Sequence, residues 1–262
     1  MCGGKGPKTR TTIIASGGMS VPYDWGSTAP MVIERYGLEI ARGKRVGFLG
    51  TASGDKDTHL VGFYKGFGKL GCEVSHLRLF EDRDLDDEAL EKYLLGLDMI
   101  WVGGGNTAAM LAVWRAFGID RILRKAWHMG IVLAGMSAGA ICWHEGGSTD
   151  SYGPTLRPFT EGLGFIKGSC FPHYDDEGQR RPTAHEFVQS MQLKGGTAIE
   201  RYTAVIYQHD IPPKKDWGCA DIKMKNPEMR VISAVEGKTA YSVKLWRGKV
   251  VETPLEAQLI TS

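Results

Sequence analysis

The stretch Ile131-Val-Leu-Ala-Gly135-Met-Ser137-Ala-Gly139-Ala-Ile141 decides the fold. Its apolar start reads as a short buried strand ending at Gly135, and a small-residue helix is expected to follow. Between them, Gly135-Met136-Ser137-Ala138-Gly139 is a G-x-S-x-G pattern. That pattern makes a sharp strand-to-helix turn and lifts the serine hydroxyl out at the end of a sheet. The N–H groups and positive partial charge at the start of the helix suit an oxyanion. Alone the pattern is weak in a chain with 35 glycines, where a Gly-rich turn with a helix-capping serine is the plainer explanation.

The same rhythm runs upstream. Strands are expected at Thr11–Ala15, Arg45–Leu49, Glu73–Leu79 and Asp98–Val102, with helices at His59–Leu70, Asp86–Leu95, Thr107–Phe117 and Ile119–His128. Strand alternating with helix predicts a parallel sheet covered on both faces. Gly-rich segments at 16–18, 50–54, 103–105 and 135–139 each follow a strand. They should meet on the rim beyond the strand carboxyl ends, where such sheets bind ligands. Past residue 145 the texture changes. Gly146–Gly164 reads as loop-rich, Phe165–His173 as a strand leading into a polar turn, Pro182–Leu193 as a helix and Thr197–Gln208 as strand-like. Pro212–Asn226 reads as an exposed loop, and Arg230–Val251 as antiparallel strands turning at Arg247-Gly248. Residues 1–10 are expected to be a flexible leader before a single domain at 11–262.

A chain of 262 residues with 42% apolar and 24% charged residues can bury one large core. A net charge of +2 gives no electrostatic case for nucleic acid. No apolar run approaches a bilayer span, so no membrane partner is expected. Five cysteines without a C-x-x-C pair argue for reduced thiols in a cytoplasm rather than disulfides or zinc.

A serine nucleophile needs a base in hydrogen-bond reach and an acid to orient it. His173, in Phe171-Pro172-His173-Tyr174, follows a predicted strand and can be delivered to the same rim. His144 falls two helical turns past Ser137 and should point away from it. Asp150 and Glu200 are the candidate acids, and both have an ordinary surface role as the default. Gly103-Gly104-Gly105-Asn106 lacks the lysine of a P-loop and fits better as an N–H donor to an oxyanion, with Gly105 and Ala138 as the pair. Asn106 is the candidate substrate-binding side chain of that turn. The group His173, Asp175, Asp176, Glu177 and His185 matches no metal-ligand spacing and reads as a charged loop. Cys170 is a poor nucleophile, because successive strand residues face opposite ways. No cofactor and no metal are called for.

With Gly103-Gly104-Gly105-Asn106-Thr107, Gly135-Met-Ser137-Ala-Gly139-Ala140 and Pro172-His173-Tyr174 in this order, the chain resembles the peptidase E family, the α-aspartyl dipeptidases and their cyanophycinase relatives. Trp114-Arg115, Ile122-Leu123-Arg124, Thr149-Asp150-Ser151 and Arg180-Arg181-Pro182 extend the likeness over about residues 97–190, with a looser match at each end. The resemblance implies a three-layer α/β/α, flavodoxin-like, mostly parallel sheet with C-terminal antiparallel strands. Such a sheet is related to class I glutamine amidotransferases, with serine in place of cysteine. It implies a metal-free serine dipeptidase or exopeptidase with Ser137 as nucleophile, His173 as general base, and Gly105 and Ala138 as oxyanion donors. Arg180 falls near the position that holds an N-terminal aspartate side chain. Relatives carry a carboxylate just before a strand resembling Tyr202–Tyr207. A gapless comparison puts Arg201 there, and a one-residue shift restores Glu200. Asp150 matches another acid assigned to the triad, so the third member stays open between the two. The part beyond Pro212 is particular to this chain and bears on access to the site. The expected partner is a small peptide, with a homodimer as the assembly open to it. A cyanophycinase-like amide hydrolase and a non-catalytic binding protein are the competing readings.

Overall fold

The computed structural model of the chain describes residues 9–19, 31–81, 86–176, 178–212, 214–217 and 225–260. Its first half alternates β1 (Arg10–Ser16), α1 (Val32–Ala41), β2 (Arg45–Leu49), α2 (Asp57–Lys69), β3 (Glu73–Leu77), α3 (Asp87–Leu95), β4 (Met99–Val102), α4 (Thr107–Ala116), α5 (Ile119–His128), β5 (Val132–Met136) and a single helical turn, α6 (Ala138–Ile141). The second half is mostly strand: β6 (His144–Thr149), β7 (Arg157–Phe159), β8 (Ile166–Pro172), α7 (Arg180–Gln189), β9 (Gly196–Ile199), β10 (Thr203–Asp210), β11 (Glu228–Ser233), β12 (Ala240–Trp246), β13 (Lys249–Leu255) and β14 (Ala257–Leu259).

Among the described residues the strands form two sheets. The larger runs β14-β11-β10-β1-β5-β4-β2-β3, and its β1-β5-β4-β2-β3 half is parallel throughout. β4 and β5 are buried along their whole length, as strands covered on both faces must be. Their side chains divide between two cores. Ile13, Val102, Leu133 and Trp114 face one side, and Ile14, Phe48, Trp101 and Phe67 face the other, under α1 and α2. Helix boundaries follow local chemistry. The Asp86 side chain accepts from the Ala89 N–H to start α3. Gly118, at φ 67°, separates α4 from α5. The mixed, mostly parallel architecture is the one the alternation predicts.

The second sheet, β13-β12-β9-β8-β6-β7, is the part the sequence reading did not separate. The loop-rich stretch Gly146–Gly164 holds most of β6 and all of β7, which pair at Gly147–Phe159 through Thr149–Arg157. Glycines there hid a strand because small residues let backbones approach closely. The run Thr197–Gln208 is two strands, β9 and β10, in different sheets. The chain turns between them at Tyr202, whose φ is 64° and whose N–H donates to Gly18 O. Likewise β11 joins the large sheet, while β12 and β13 form a hairpin in the small one. Arg247 and Gly248 close that hairpin with φ of 49° and 76°, the pair of positive values a two-residue turn prefers.

The helix after Ser137 lasts one turn only, so its macrodipole contributes little. His144 is not on that helix; it opens β6 and is fully buried. Arg10, assigned to the expected leader, instead begins β1 and ion-pairs with Glu228. Residues 1–8 lie outside the described residues, as does most of the Pro212–Asn226 loop. Cys72, Cys142 and Cys170 are free thiols. Among the described residues no helix is long and apolar enough to cross a membrane.

Candidate active site

Adjacent parallel strands put β1, β5 and β4 ends on one rim, and the Gly-rich segments converge there. Ser137 follows β5 with φ 55° and ψ −114°. A non-glycine residue in that region carries about 1–3 kcal/mol of strain and persists only when its surroundings fix it. Here its N–H donates to Ser16 O at 3.2 Å, and its carbonyl accepts from Ala140 and Ile141 N–H at 2.8 and 2.9 Å. The turn before α4 is bound to the loop after β2 by Asn106 N–H on Ala52 O at 2.7 Å.

His173 stands just past β8, also at positive φ (55°), with its N–H on Gly17 O at 3.1 Å. Its Nε2 lies 2.9 Å from Ser137 Oγ, so the hydroxyl can donate to a neutral imidazole. Burial lowers the His173 pKa to about 4, with Arg180 and Arg201 adding to the effect and Asp175 and Asp150 opposing it. At neutral pH the ring is therefore a free base.

The N–H groups of Gly105 and Ala138 donate to nothing among the described residues. Position 105 requires glycine: its φ is 140°, and a side chain would run into the Ala52 backbone.

The two candidate acids are engaged elsewhere. Glu200, buried at the end of β9, accepts from Thr239 N–H at 3.0 Å and Tyr241 OH at 3.4 Å. Asp150 pairs with Arg180 Nη2 at 2.9 Å. Among the described residues neither carboxylate hydrogen-bonds His173. Asp175 is the carboxylate the sequence reading passed over as part of a charged loop. It accepts from Arg201 N–H and Nε and from Lys238 Nζ. Burial pushes its pKa up, but these cations outweigh burial and hold it at about 2. Its signal was present in the spacing His173-Tyr174-Asp175 and in Arg201, noticed only for displacing an expected acid.

Arg180, the first residue of α7, is brought to the rim with only 15% of its side chain exposed. Asn106 uses both ends of its amide structurally, accepting from Ala109 N–H at 2.8 Å and donating to Ser151 O at 2.9 Å. His144 faces away from the serine, bonded to Ala140 O and Tyr207 OH. Burial pushes the Cys170 thiol far above its ordinary pKa, which keeps it protonated and inert. Among the described residues no three His, Cys, Asp or Glu side chains cluster as a metal site.

Comparison with known proteins shows the family. The sequence model of peptidase family S51 matches residues 13–211. The chain is 38% identical over 216 residues to the uncharacterized peptidase YgaJ of Bacillus subtilis, spanning 82% of this chain and 85% of that one. A crystal structure of a peptidase from an acI-B1 Actinobacterium superposes with a TM-score of 0.66 at 16% identity, covering 96% of both chains. A candidate peptidase E protein of Listeria monocytogenes EGD-e gives a TM-score of 0.55 at 18% identity, covering 83% of this chain and 98% of the other. At those identities the two structures speak for the fold alone.

Proposed function

This chain belongs to peptidase family S51, and from that premise we propose that it is a serine peptidase acting on short peptides through Ser137 and His173. The observation that carries the reading is the 2.9 Å approach of His173 Nε2 to a strained, rim-mounted Ser137 Oγ. His173 takes the hydroxyl proton as Oγ attacks the peptide carbonyl. The N–H groups of Gly105 and Ala138 receive the developing oxyanion. The imidazolium then returns its proton to the leaving amine, and water, activated by the same ring, releases the acyl group.

Glu200 and Asp150 remain the two proposed acids. Asp150 already acts on His173 through space, while Glu200 is held by the hairpin backbone at Thr239. Arg180 is the proposed anchor for an N-terminal aspartate, because a guanidinium matches a carboxylate with two parallel donors. The substrate carboxylate would take Arg180 from Asp150, releasing that acid toward the imidazolium. Reduced thiols support a cytoplasmic setting.

The test is a fluorophosphonate probe with a dipeptide panel. Labelling at Ser137 that vanishes in His173→Ala, with Asp-X cleaved faster than Glu-X or blocked dipeptides, is expected. Undiminished Asp-X cleavage by Arg180→Ala would remove the specificity assignment. One observation favours a non-catalytic binding protein: both expected acids are bonded away from His173. Absence of labelling in the wild-type chain would select that reading.

A further inference from the structure

The residue after the proposed base leads into a polar cluster outside the catalytic pair. Tyr174 is fully buried, and its N–H donates to Ile199 O at 3.1 Å. Its hydroxyl donates to Glu252 Oε2 on β13. The same carboxylate takes His185 Nε2 at 2.9 Å and the Arg181 guanidinium through both Nε and Nη2, all from α7. Arg181 also lies over the rings of Tyr174 and Tyr241, at 5.3 and 5.2 Å. Phe187, Val188 and Val243 pack the apolar side of this junction.

Two of the three residues bonded to Glu252 neighbour a residue of the proposed site. Tyr174 follows His173, and Arg181 follows Arg180. His173 holds a positive φ, which a non-glycine residue keeps only when the chain is pinned on both sides. Upstream it is pinned by β8, paired to β6 and β9. Downstream the pin is Tyr174, whose hydroxyl donates to Glu252 and also lies 2.9 Å from His185 Nε2, a group that Glu252 itself holds. The hairpin that carries Glu252 lies beyond residue 211, where the family match ends.

We infer that Glu252 is a positioning residue for the base, acting through Tyr174, and that the C-terminal hairpin is thereby part of the catalytic frame. The inference rests on the peptidase reading for its kinetic consequence. Four donors converge on one carboxylate that is 14% exposed, so the His173 turn, α7 and the hairpin are locked as one unit. Without the carboxylate the Tyr174 hydroxyl loses its charged acceptor and the His173 turn gains freedom. A displacement of about 1 Å at a general base is enough for a ~100-fold loss of rate.

The test uses the full chain with Glu252→Ala, Glu252→Gln and Tyr174→Phe. Expected is a ~10- to 100-fold fall in kcat on the best short peptide, with KM held within about twofold. Glu252→Gln, still able to accept from Tyr174, should retain more activity than Glu252→Ala. The double variant should be no slower than Glu252→Ala alone. Unchanged kcat in a folded variant overturns the inference. A loss carried by KM alone also overturns it, assigning Glu252 to substrate binding through Arg181 and Arg180. If Glu252→Ala does not fold, Tyr174→Phe, which removes a single hydroxyl, decides. Should the wild-type chain neither label nor hydrolyse, the peptidase reading fails by itself. The NMR titration of the His173 ring then decides this one: a rise toward the ordinary histidine range in Glu252→Ala upholds it, and an unmoved titration overturns it.

Discussion

A Cβ on Gly18 would stand 2.9 Å from Nδ1 of His173 and closer still to its Cε1, so the backbone of β1's terminal loop is the seat of the imidazole. Gly18 also adopts φ 109°, which side chains rarely take. The prediction is that Gly18→Ala, though folded by circular dichroism, pushes the ring off Ser137 and lowers kcat by about 10- to 100-fold. Ser137 should label correspondingly more slowly with a fluorophosphonate. Wild-type labelling kinetics in this variant would mean that the ring has another resting place.

The low pKa of His173 predicts where the acid limb of the pH profile falls. The base is competent only when neutral, and burial, aided by Arg180 and Arg201, keeps it neutral down to about pH 4. We expect kcat/KM to hold from neutral pH to about 5 and to fall through about 4, rather than through the ordinary histidine value near 6.5. Removing the Arg180 charge should move the limb upward, since a nearby cation opposes protonation and Asp175 and Asp150 would then act with less opposition. A limb that stays in place in Arg180→Ala would show that burial alone sets it.

Asp175 is a charge hub rather than a surface acid. Its side chain is 10% exposed and faces Arg201 and Lys238, each 32% exposed. Asp175→Asn should lower stability by about 1–3 kcal/mol, less than a fully buried pair because solvent screens both cations. The wild-type contribution is complete above the unfolded carboxylate pKa near 4 and is lost as pH falls through about 2. Urea melts at pH 7 and pH 2 should therefore differ between wild type and variant at the first pH and converge at the second.

The parallel half of the fold was legible because its strands are buried on both faces and write themselves as apolar runs, Met99–Val102 and Val132–Met136 among them. The pairing of Ser137 with His173 was legible for a related reason: each sits where a strand ends in a marked turn. The second sheet was not, because Gly146, Gly147 and Gly196 carry no side-chain pattern, and each has a backbone carbonyl of a neighbouring strand where a Cβ would be. The break at Tyr202 lies beside the charged pair Glu200-Arg201, inside a strand-like run whose two halves belong to different sheets. The polar partners of the site were least legible. Asp175 meets Lys238, and Tyr174 meets Glu252, across separations that no local spacing encodes.

Glu34 offers a pH dependence of the opposite sign from the histidines. Its carboxyl is buried on α1 beside a cavity of about 20 Å³ that Ser16, Trp101 and Met136 also line. Among the described residues only its own backbone N–H favours the ionised form there, and burial raises its pKa from 4.5 to about 7. Below the unfolded value the carboxyl is neutral in both states, and its contribution to stability is fully present. As pH rises through 7 the folded chain must ionise a buried group, and that contribution is lost. At about 1.4 kcal/mol per pKa unit the swing is on the order of 3 kcal/mol. His144 pulls the other way: burial holds it neutral to about pH 4, so it destabilises the fold between about 6.5 and 4. Comparing Glu34→Gln with wild type at each pH cancels that term. The amide variant should gain on wild type by about 3 kcal/mol between pH 4.5 and 8.5 in denaturant melts. Two stability curves that run parallel across this window would mean that the carboxylate finds a partner or solvent when it ionises.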